Sequence, residues 1–156
     1  MEMGTSIRSF FYRQFIKSIN SILYIFARRI LYINAWVDIR YGKVLPNNWG
    51  DDINVYLLEL ITGNKVGVLN CTLFPKLFKI RNYICIGSIL GWYEDTKSEI
   101  WGAGFISNDS ILNNIPFKIH SVRGKLTRQK LLNIGIDCPE VYGDPALLIS
   151  RYYKPN

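Results

Sequence analysis

The stretch FKIHSVRGKLTRQKLLNIG, residues 117–135, contains the order of elements that decides the fold. Residues 117–122 are a short run with aromatic and β-branched side chains, typical of a β-strand. Arg123 and Gly124 follow at the strand end, and residues 124–133 then have a helical pattern that Gly135 ends. A strand that leads directly into a helix is the unit from which parallel α/β sheets are built.

The same alternation of strand and helix continues along most of the chain. Further strands are predicted at residues 36–41, 65–70, 82–86, 100–105 and 141–142. An apolar stripe from Ile53 to Ile61 predicts a helix that Gly63 ends. The fold class is therefore α/β, a Rossmann-like open, mostly parallel sheet with flanking helices. Because ligands of such sheets bind at the carboxyl ends of the strands, the loops after the strands are the candidate functional loops.

Length and charge restrict the kind of protein. The 156 residues, 49% hydrophobic and 20% charged, are enough for one globular domain with a buried core. The net charge is +7, and residues 1–43 supply +5 of it through seven basic and two acidic side chains. A single basic end favours an anionic membrane surface or an anionic ligand, and we do not expect nucleic acid as a partner.

Cysteine usage points to a reducing compartment. Cys71, Cys85 and Cys138 are an odd number and lack metal-ligand spacing, so we expect no metal site. We therefore expect a cytoplasmic protein, with the inner face of the membrane as an additional location.

Residues 8–32 are predicted to form a basic amphipathic helix. Its apolar stripe consists of Phe11, Phe15, Ile19, Ile22, Phe26 and Ile30. Arg13, Lys17, Tyr24 and Arg28 fall mainly on another side. Two interpretations stay open: the helix lies in a membrane interface, or it packs on the domain or on a neighbour with its basic face solvated. Residues 18–27, the longest uncharged stretch there, are too short to span a bilayer, and no cleavage site indicates a signal peptide.

We accordingly divide the chain into three parts. Residues 1–34 are the helical segment, residues 35–150 the Rossmann-like domain, and residues 151–156 the start of a linker to a second domain that the chain lacks.

The segment Asn48-Trp49-Gly50-Asp51 follows a strand and opens a helix. Glycine lets the backbone approach a ligand, and free N–H groups at a helix start offer an anion site, so Asn48 and Gly50 are candidate binding residues. Helix capping is an alternative role for both Asp51 and Asp52 and is favoured for Asp52, whereas Asp51 is also a candidate base for a substrate hydroxyl.

Glycine also marks two later strand ends. Gly87-Ser88, Gly102 and Gly104 allow either a ligand or a neighbouring helix to come within backbone distance, and both interpretations stay open.

Arg123 is the most informative charged residue, because a guanidinium at a strand end can hold a phosphate or carboxylate with two parallel hydrogen bonds. Its alternative role is a salt bridge to Asp144. Gly124 and Arg128 are further candidate contacts, whereas Lys125 and Lys130 are assigned to a solvated helix face. Asp144, in Gly143-Asp144-Pro145, is a candidate binding residue whose favoured role is to tie its own turn. His120 is expected to face a surface of the sheet rather than a substrate.

Five blocks occur in a fixed order, at residues 48–54, 86–90, 101–105, 122–128 and 142–148. This ordered set resembles the polysaccharide pyruvyltransferase family over about residues 36–150. The resemblance implies the first half of a glycosyltransferase-B-like enzyme with two Rossmann-type domains. Such an enzyme of bacterial surface-polysaccharide assembly takes phosphoenolpyruvate as donor, needs no cofactor, and places pyruvate as a ketal on two hydroxyls of a saccharide or its lipid-linked precursor. It further implies Arg123 as a cation for the donor and Asp51 as the base.

The chain also departs from the family pattern. Family members carry a second domain with a Ser-rich segment and a Leu-His-Gly motif, and the 156 residues contain no such motif. We therefore expect no or very weak activity from this chain alone. Two alternatives remain: half of a sugar-nucleotide glycosyltransferase, and a truncated, non-catalytic remnant that serves as a membrane-peripheral interaction module.

Overall fold

A parallel sheet forms the centre of the structure, a computed structural model that describes residues 2–27 and 29–154, without the side chains of residues 2–6 and 76. The strands in chain order are β1 (Ile30–Ile33), β2 (Asp38–Arg40), β3 (Lys43–Leu45), β4 (Lys65–Val68), β5 (Asn82–Ile84), β6 (Ser98–Trp101) and β7 (Lys118–Ser121). Five of them form one sheet in the order β4-β1-β5-β6-β7, with every pairing parallel. The architecture is therefore α/β, an open parallel sheet flanked by helices, as the sequence pattern predicts.

The helices lie between these strands and at both ends of the described chain. They are α1 (Glu2–Ile25), α2 (Trp49–Thr62), α3 (Phe74–Leu77), α4 (Lys125–Asn133) and α5 (Ile149–Tyr152), with 3₁₀ turns at Leu69–Cys71 and Pro145–Leu148. α2 ends at Gly63, whose φ of +66° is the left-handed conformation that glycine adopts without a steric penalty. The predicted end of this helix is confirmed.

Four strands of the main sheet, β1, β4, β5 and β6, each contribute a fully buried apolar side chain to the core. Ile33, Val68, Ile84 and Ile100 have no exposed surface. One core cluster joins β1 and β4 to α2, and a second joins β6 to α4. Burying one such side chain contributes about 1.5–3 kcal/mol to the free energy of unfolding. The strands therefore hold the loops that follow them in fixed positions.

The N-terminal segment differs from the predicted helix over residues 8–32. α1 ends at Ile25, and Ile30–Ile33 form β1, which pairs with both β4 and β5. The run Ile-Leu-Tyr-Ile is short and apolar, and Ile30 also continues the helical spacing, so periodicity alone does not separate strand from helix there. Pairing with two neighbouring strands makes it a strand.

The first predicted strand, residues 36–41, is also corrected. Only Asp38–Arg40 are extended, and they pair with β3 in an antiparallel hairpin outside the main sheet. Tyr41 and Gly42 connect the two strands, with φ of 51° and 74°. Two consecutive positive φ values match the type I′ turn that two-residue hairpin loops prefer.

α1 packs on the domain through a side that the apolar stripe does not include. Ile16, Asn20 and Tyr24 are buried, at a spacing of four residues. The Asn20 amide donates to the carbonyl oxygens of Ile39 (2.8 Å) and Cys71 (2.9 Å) and accepts from Gly42 N (3.1 Å). The side that contains Tyr24 therefore faces the domain. Across the described ranges, no helix is both long and apolar enough to cross a membrane.

The strand order places one crevice in the sheet. The chain passes from β1 outward to β4, then returns to the other side of β1 with β5 and continues to β6 and β7. Ligands of open α/β sheets bind where the order reverses, at the carboxyl ends of the strands. In this sheet that point lies between β1 and β5, next to the segments that begin at Asn34 and Cys85.

Candidate functional site

Arg123 lies at the centre of a group of predicted site residues. Its guanidinium donates to Ser88 Oγ, and Nη2 donates to the carbonyl oxygen of Phe105 at 3.1 Å. Within residues 2–27 and 29–154 no ion pair forms between Arg123 and a carboxylate, so the alternative salt bridge to Asp144 is not formed. The structure thus brings Arg123, which follows β7, to the Gly87-Ser88 loop after β5, although β6 lies between these two strands.

Gly104 makes this position of Arg123 possible. A Cβ atom on Gly104 would lie 2.9 Å from Thr127 Oγ1 and 3.1 Å from Arg123 Nε. Any larger residue would displace one of these side chains. The glycine is therefore explained by close packing of Arg123, and it serves the site indirectly.

A cavity of about 430 Å³ lies beside Arg123 at the start of α4. Gly124 is the N-cap of α4, and no side chain caps the first turn. Among the described residues, those that line the cavity include three cations, Arg123, Lys125 and Lys130, and no acidic side chain. Because the N-terminus of a helix adds positive potential, this cavity suits an anion.

Lys130 corrects the expectation of a solvated helix face. Its ammonium lies 4.6 Å from the centre of the Phe105 ring and donates to the Ser107 carbonyl oxygen at 3.2 Å. These contacts hold a second cation at the rim of the cavity. Sequence reasoning missed this, because the loop that Lys130 contacts is 22 or more residues away in the chain.

A second group of residues lies at the end of β5. Asn54 is 1% exposed, and its amide nitrogen donates to the carbonyl oxygens of Asp51 (3.0 Å) and Ile86 (3.3 Å). Its amide oxygen accepts from Ile86 N at 3.0 Å. Asn54 therefore fixes the first turn of α2 to the carboxyl end of β5 and sets the position of Asp51.

Asp51 faces the Gly87 loop. Its Oδ1 lies 3.6 Å from the position that a Cβ on Gly87 would occupy, and the φ of +112° at Gly87 favours glycine. Partial burial and the neighbouring Asp52 raise the pKa of the Asp51 carboxyl above its usual value. A carboxylate with a raised pKa is a better proton acceptor than an ordinary one.

The other polar residues of this turn have local roles. Asn48 is the N-cap of α2, and its Oδ1 accepts from Gly50 N at 3.1 Å. Asp52 Oδ2 accepts from Asn47 N at 2.9 Å, and Asn47 precedes the N-cap, so Asp52 ties the preceding loop to α2 and does not cap the helix as expected. Among the described residues, Asp52 Oδ1 is buried without a hydrogen-bond partner. Asn48 therefore takes the N-cap role.

Aromatic residues that the sequence reasoning missed lie near this group. Trp36 follows β1, and its ring centre is 5.7 Å from that of Trp92 and 6.3 Å from that of Tyr93. Tyr93 and Trp36 line a cavity of about 470 Å³ between α1 and the carboxyl end of β1. Trp36 is half exposed. The available signal is a tryptophan shortly after the apolar run Ile30–Ile33, which the helical spacing predicted over residues 8–32 hides.

Gly102 and Asp144 serve packing. A Cβ on Gly102 would lie 2.4 Å from Pro145 Cδ and 2.5 Å from the Gly143 carbonyl oxygen. Asp144 Oδ1 accepts from Ala146 N at 2.9 Å and so ties its own turn, as favoured from the sequence. The loop that begins at Gly102 and the turn at Gly143-Asp144-Pro145 therefore pack directly against each other.

The side chains of Arg128 and His120 also have partners within the domain. Arg128 Nε donates to the Cys138 carbonyl oxygen at 3.0 Å, in the loop after α4. His120 Nε2 lies 2.6 Å from Glu99 Oε2, and Arg81 pairs with the same carboxylate at 2.9 Å. His120 thus binds a neighbouring side chain of the sheet, consistent with its expected orientation.

The three cysteines are buried and unbridged. Burial raises the pKa of Cys85 to about 12 and that of Cys71 to about 11. In the part of the chain that the structure describes, no group of three or more His, Cys, Asp or Glu side chains is arranged to hold a metal ion.

No protein-family profile, curated protein or solved structure matches the chain. Functional inference therefore rests on the residues at the carboxyl edge of the sheet.

Proposed function

We propose that this chain is the first Rossmann-type domain of a glycosyltransferase-B-like polysaccharide pyruvyltransferase. The proposal combines the five ordered sequence blocks with one observation that carries it. Arg123 lies at a strand end beside the uncapped start of α4, with no carboxylate partner in the described ranges. Such a group suits a small ligand with both a phosphate and a carboxylate, which is the chemistry of phosphoenolpyruvate.

In this proposal, each group of residues at the carboxyl edge of the sheet has a role in binding or catalysis. The donor's anionic groups bind in the 430 Å³ cavity, against Arg123, the first N–H groups of α4, and Lys130. Asp51, held by Asn54, accepts a proton from an acceptor hydroxyl. Gly87, between Asp51 and Ser88, lets the substrate approach the backbone.

The proposed reaction is an addition followed by a substitution at C2 of the donor. The first hydroxyl oxygen bonds to C2 and its proton passes to Asp51, while C3 takes up a proton from water to become a methyl group, and the proton on Asp51 then returns to water. The second hydroxyl oxygen then bonds to C2, phosphate departs with the C2–O electron pair, and the second hydroxyl proton is released with it. Arg123 stabilises the negative charge on the departing phosphate. The products are the pyruvate ketal and inorganic phosphate.

Ligand binding tests this proposal without requiring turnover. We expect phosphoenolpyruvate to shift the backbone NMR signals of Arg123, Gly124 and Lys125, and UDP-glucose to shift them less. Because charge-assisted hydrogen bonds contribute about 1.5–3 kcal/mol, Arg123→Ala should weaken phosphoenolpyruvate binding by about 10- to 100-fold. Arg151→Ala, at an exposed arginine of α5, is the matched control and should not change the affinity.

Three other results would count against the proposed function. Equal affinity of Arg123→Ala and the wild-type chain would refute the donor site. Stronger binding of UDP-glucose than of phosphoenolpyruvate would support the sugar-nucleotide glycosyltransferase alternative. Absence of binding by either ligand would favour the non-catalytic interaction module.

A further inference from the structure

The outer surface of α1 is apolar although its inner surface already packs on the domain. The outer face comprises Phe11, Phe15 and Ile22, which are 67%, 58% and 48% exposed, together with Phe26, the residue directly after the helix, which is 83% exposed. Ile7 and Ile25, next to them on the helix, are also more than half exposed. Contiguous exposed apolar surface of this kind marks an interaction site in a folded protein.

Hydrogen bonds on the face of α1 that packs on the domain fix the orientation of the helix. Asn20, with no exposed surface, makes three hydrogen bonds to the β2–β3 hairpin and the turn at Leu69–Cys71. Ser21 Oγ additionally accepts from Leu73 N at 2.9 Å. Rolling the helix to bury its phenylalanines would break these bonds and leave the carbonyl oxygens of Ile39 and Cys71 without the Asn20 donor. The outer face is therefore held away from the core of the domain.

The positive charge around α1 indicates which kind of partner binds the outer face of the helix. Residues 3–37 contain no Asp or Glu and five Arg or Lys. Arg8 is exposed one turn before the outer-face phenylalanines, and Arg29 is exposed after the helix. At an anionic bilayer surface the Arg8 side chain can extend to the lipid phosphates while the neighbouring phenylalanines lie below the headgroups.

We propose that the outer face of α1 docks the domain on an anionic membrane surface. The helix lies in the interface plane, with Phe11, Phe15 and Phe26 at the boundary of headgroups and acyl chains. At 24 residues, α1 is about 36 Å long. This proposal stands on α1 alone and does not depend on the proposed transferase function.

Vesicle flotation of the full chain tests the docking. We expect the protein to float with vesicles of equal parts phosphatidylcholine and phosphatidylglycerol at low salt. With pure phosphatidylcholine it should remain largely in the bottom fraction, since each basic side chain near an anionic surface contributes about fivefold. The double variant Phe11→Glu/Phe15→Glu should lower the partition coefficient at least about tenfold. Both positions are exposed, so the fold should be retained.

A matched control uses exposed apolar residues elsewhere. Ile111 and Leu147 are 77% and 75% exposed and lie outside α1, so Ile111→Glu/Leu147→Glu should float like the wild-type chain. Failure of the wild-type chain to float at low salt would overturn the proposal, as would equal flotation of the two double variants. Light scattering that shows a stable dimer, which Phe11→Glu/Phe15→Glu dissociates, would also overturn it in favour of a second copy on this face.

Discussion

The buried amide of Asn54 is the connection on which the position of Asp51 most depends. Asn54→Ala removes three hydrogen bonds and leaves the N–H and C=O of Ile86 without partners inside the protein. Each unsatisfied buried backbone group costs about 1–3 kcal/mol. With the small cavity that the substitution creates, we expect the free energy of unfolding to fall by about 3–5 kcal/mol.

Urea denaturation, followed by circular dichroism and tryptophan fluorescence, measures this loss. Asn108→Ala, at an exposed asparagine, is the matched control and should change stability by less than about 0.5 kcal/mol. Asn54→Asp retains the acceptor for Ile86 N but replaces the donor with a second acceptor, so it should destabilise as well. If Asn54→Ala falls within the range of the control, the assigned role of Asn54 is refuted.

Two further predictions concern the same edge of the sheet. Gly102→Ala should destabilise by at least about 2 kcal/mol, because its Cβ would meet Pro145 and Gly143 and its φ is +95°. Gly124→Ala, with no atom within 4 Å of the new Cβ, should cost less than about 1 kcal/mol, and equal urea midpoints would contradict the packing argument. The raised pKa of Asp51 means that the folded state holds this proton more tightly than the unfolded state, so ionisation opposes folding above that pKa. Asp51→Asn should therefore stabilise the protein at pH 7, with the gain lost as the pH falls through the raised pKa of Asp51 towards about 4, and a gain independent of pH would contradict the assignment.

Local sequence signals were sufficient where strand, turn and helix follow directly. The 117–135 stretch forms β7, the Arg123-Gly124 turn and α4 nearly as predicted, because glycine and a change of periodicity mark each boundary. The meeting of Arg123 and Ser88, which lie 35 residues apart, follows from the same reasoning. Parallel strands present their carboxyl ends at one edge of the sheet, and residues at that edge come together.

Contacts between residues far apart in the chain determine two features that the sequence pattern does not predict, the strand at Ile30–Ile33 and the buried face of α1. Ile30–Ile33 has the same apolar character as a helix stripe and becomes a strand only through its pairing with β4 and β5. The inner face of α1 was missed for a related reason. Asn20 is polar, and a hydrophobic pattern does not show that a polar side chain is buried when the carbonyl oxygens it satisfies lie 19 and 51 residues away.

The two faces of α1 connect the proposed docking surface to the candidate site. Tyr12 and Arg13 of α1 line the 470 Å³ cavity with Trp36 and Tyr93, at the carboxyl end of β1. Tyr93 is also close enough to Asp51 for that carboxyl to raise its pKa, with burial the larger cause. A helix that rests on a bilayer with its outer face therefore holds this cavity, and Asp51 beyond it, close to the headgroups. If both proposals hold, a saccharide acceptor attached to lipid would reach Asp51 from that side, whereas a small anionic donor would enter at Arg123, so the two substrates would approach along different parts of one sheet edge.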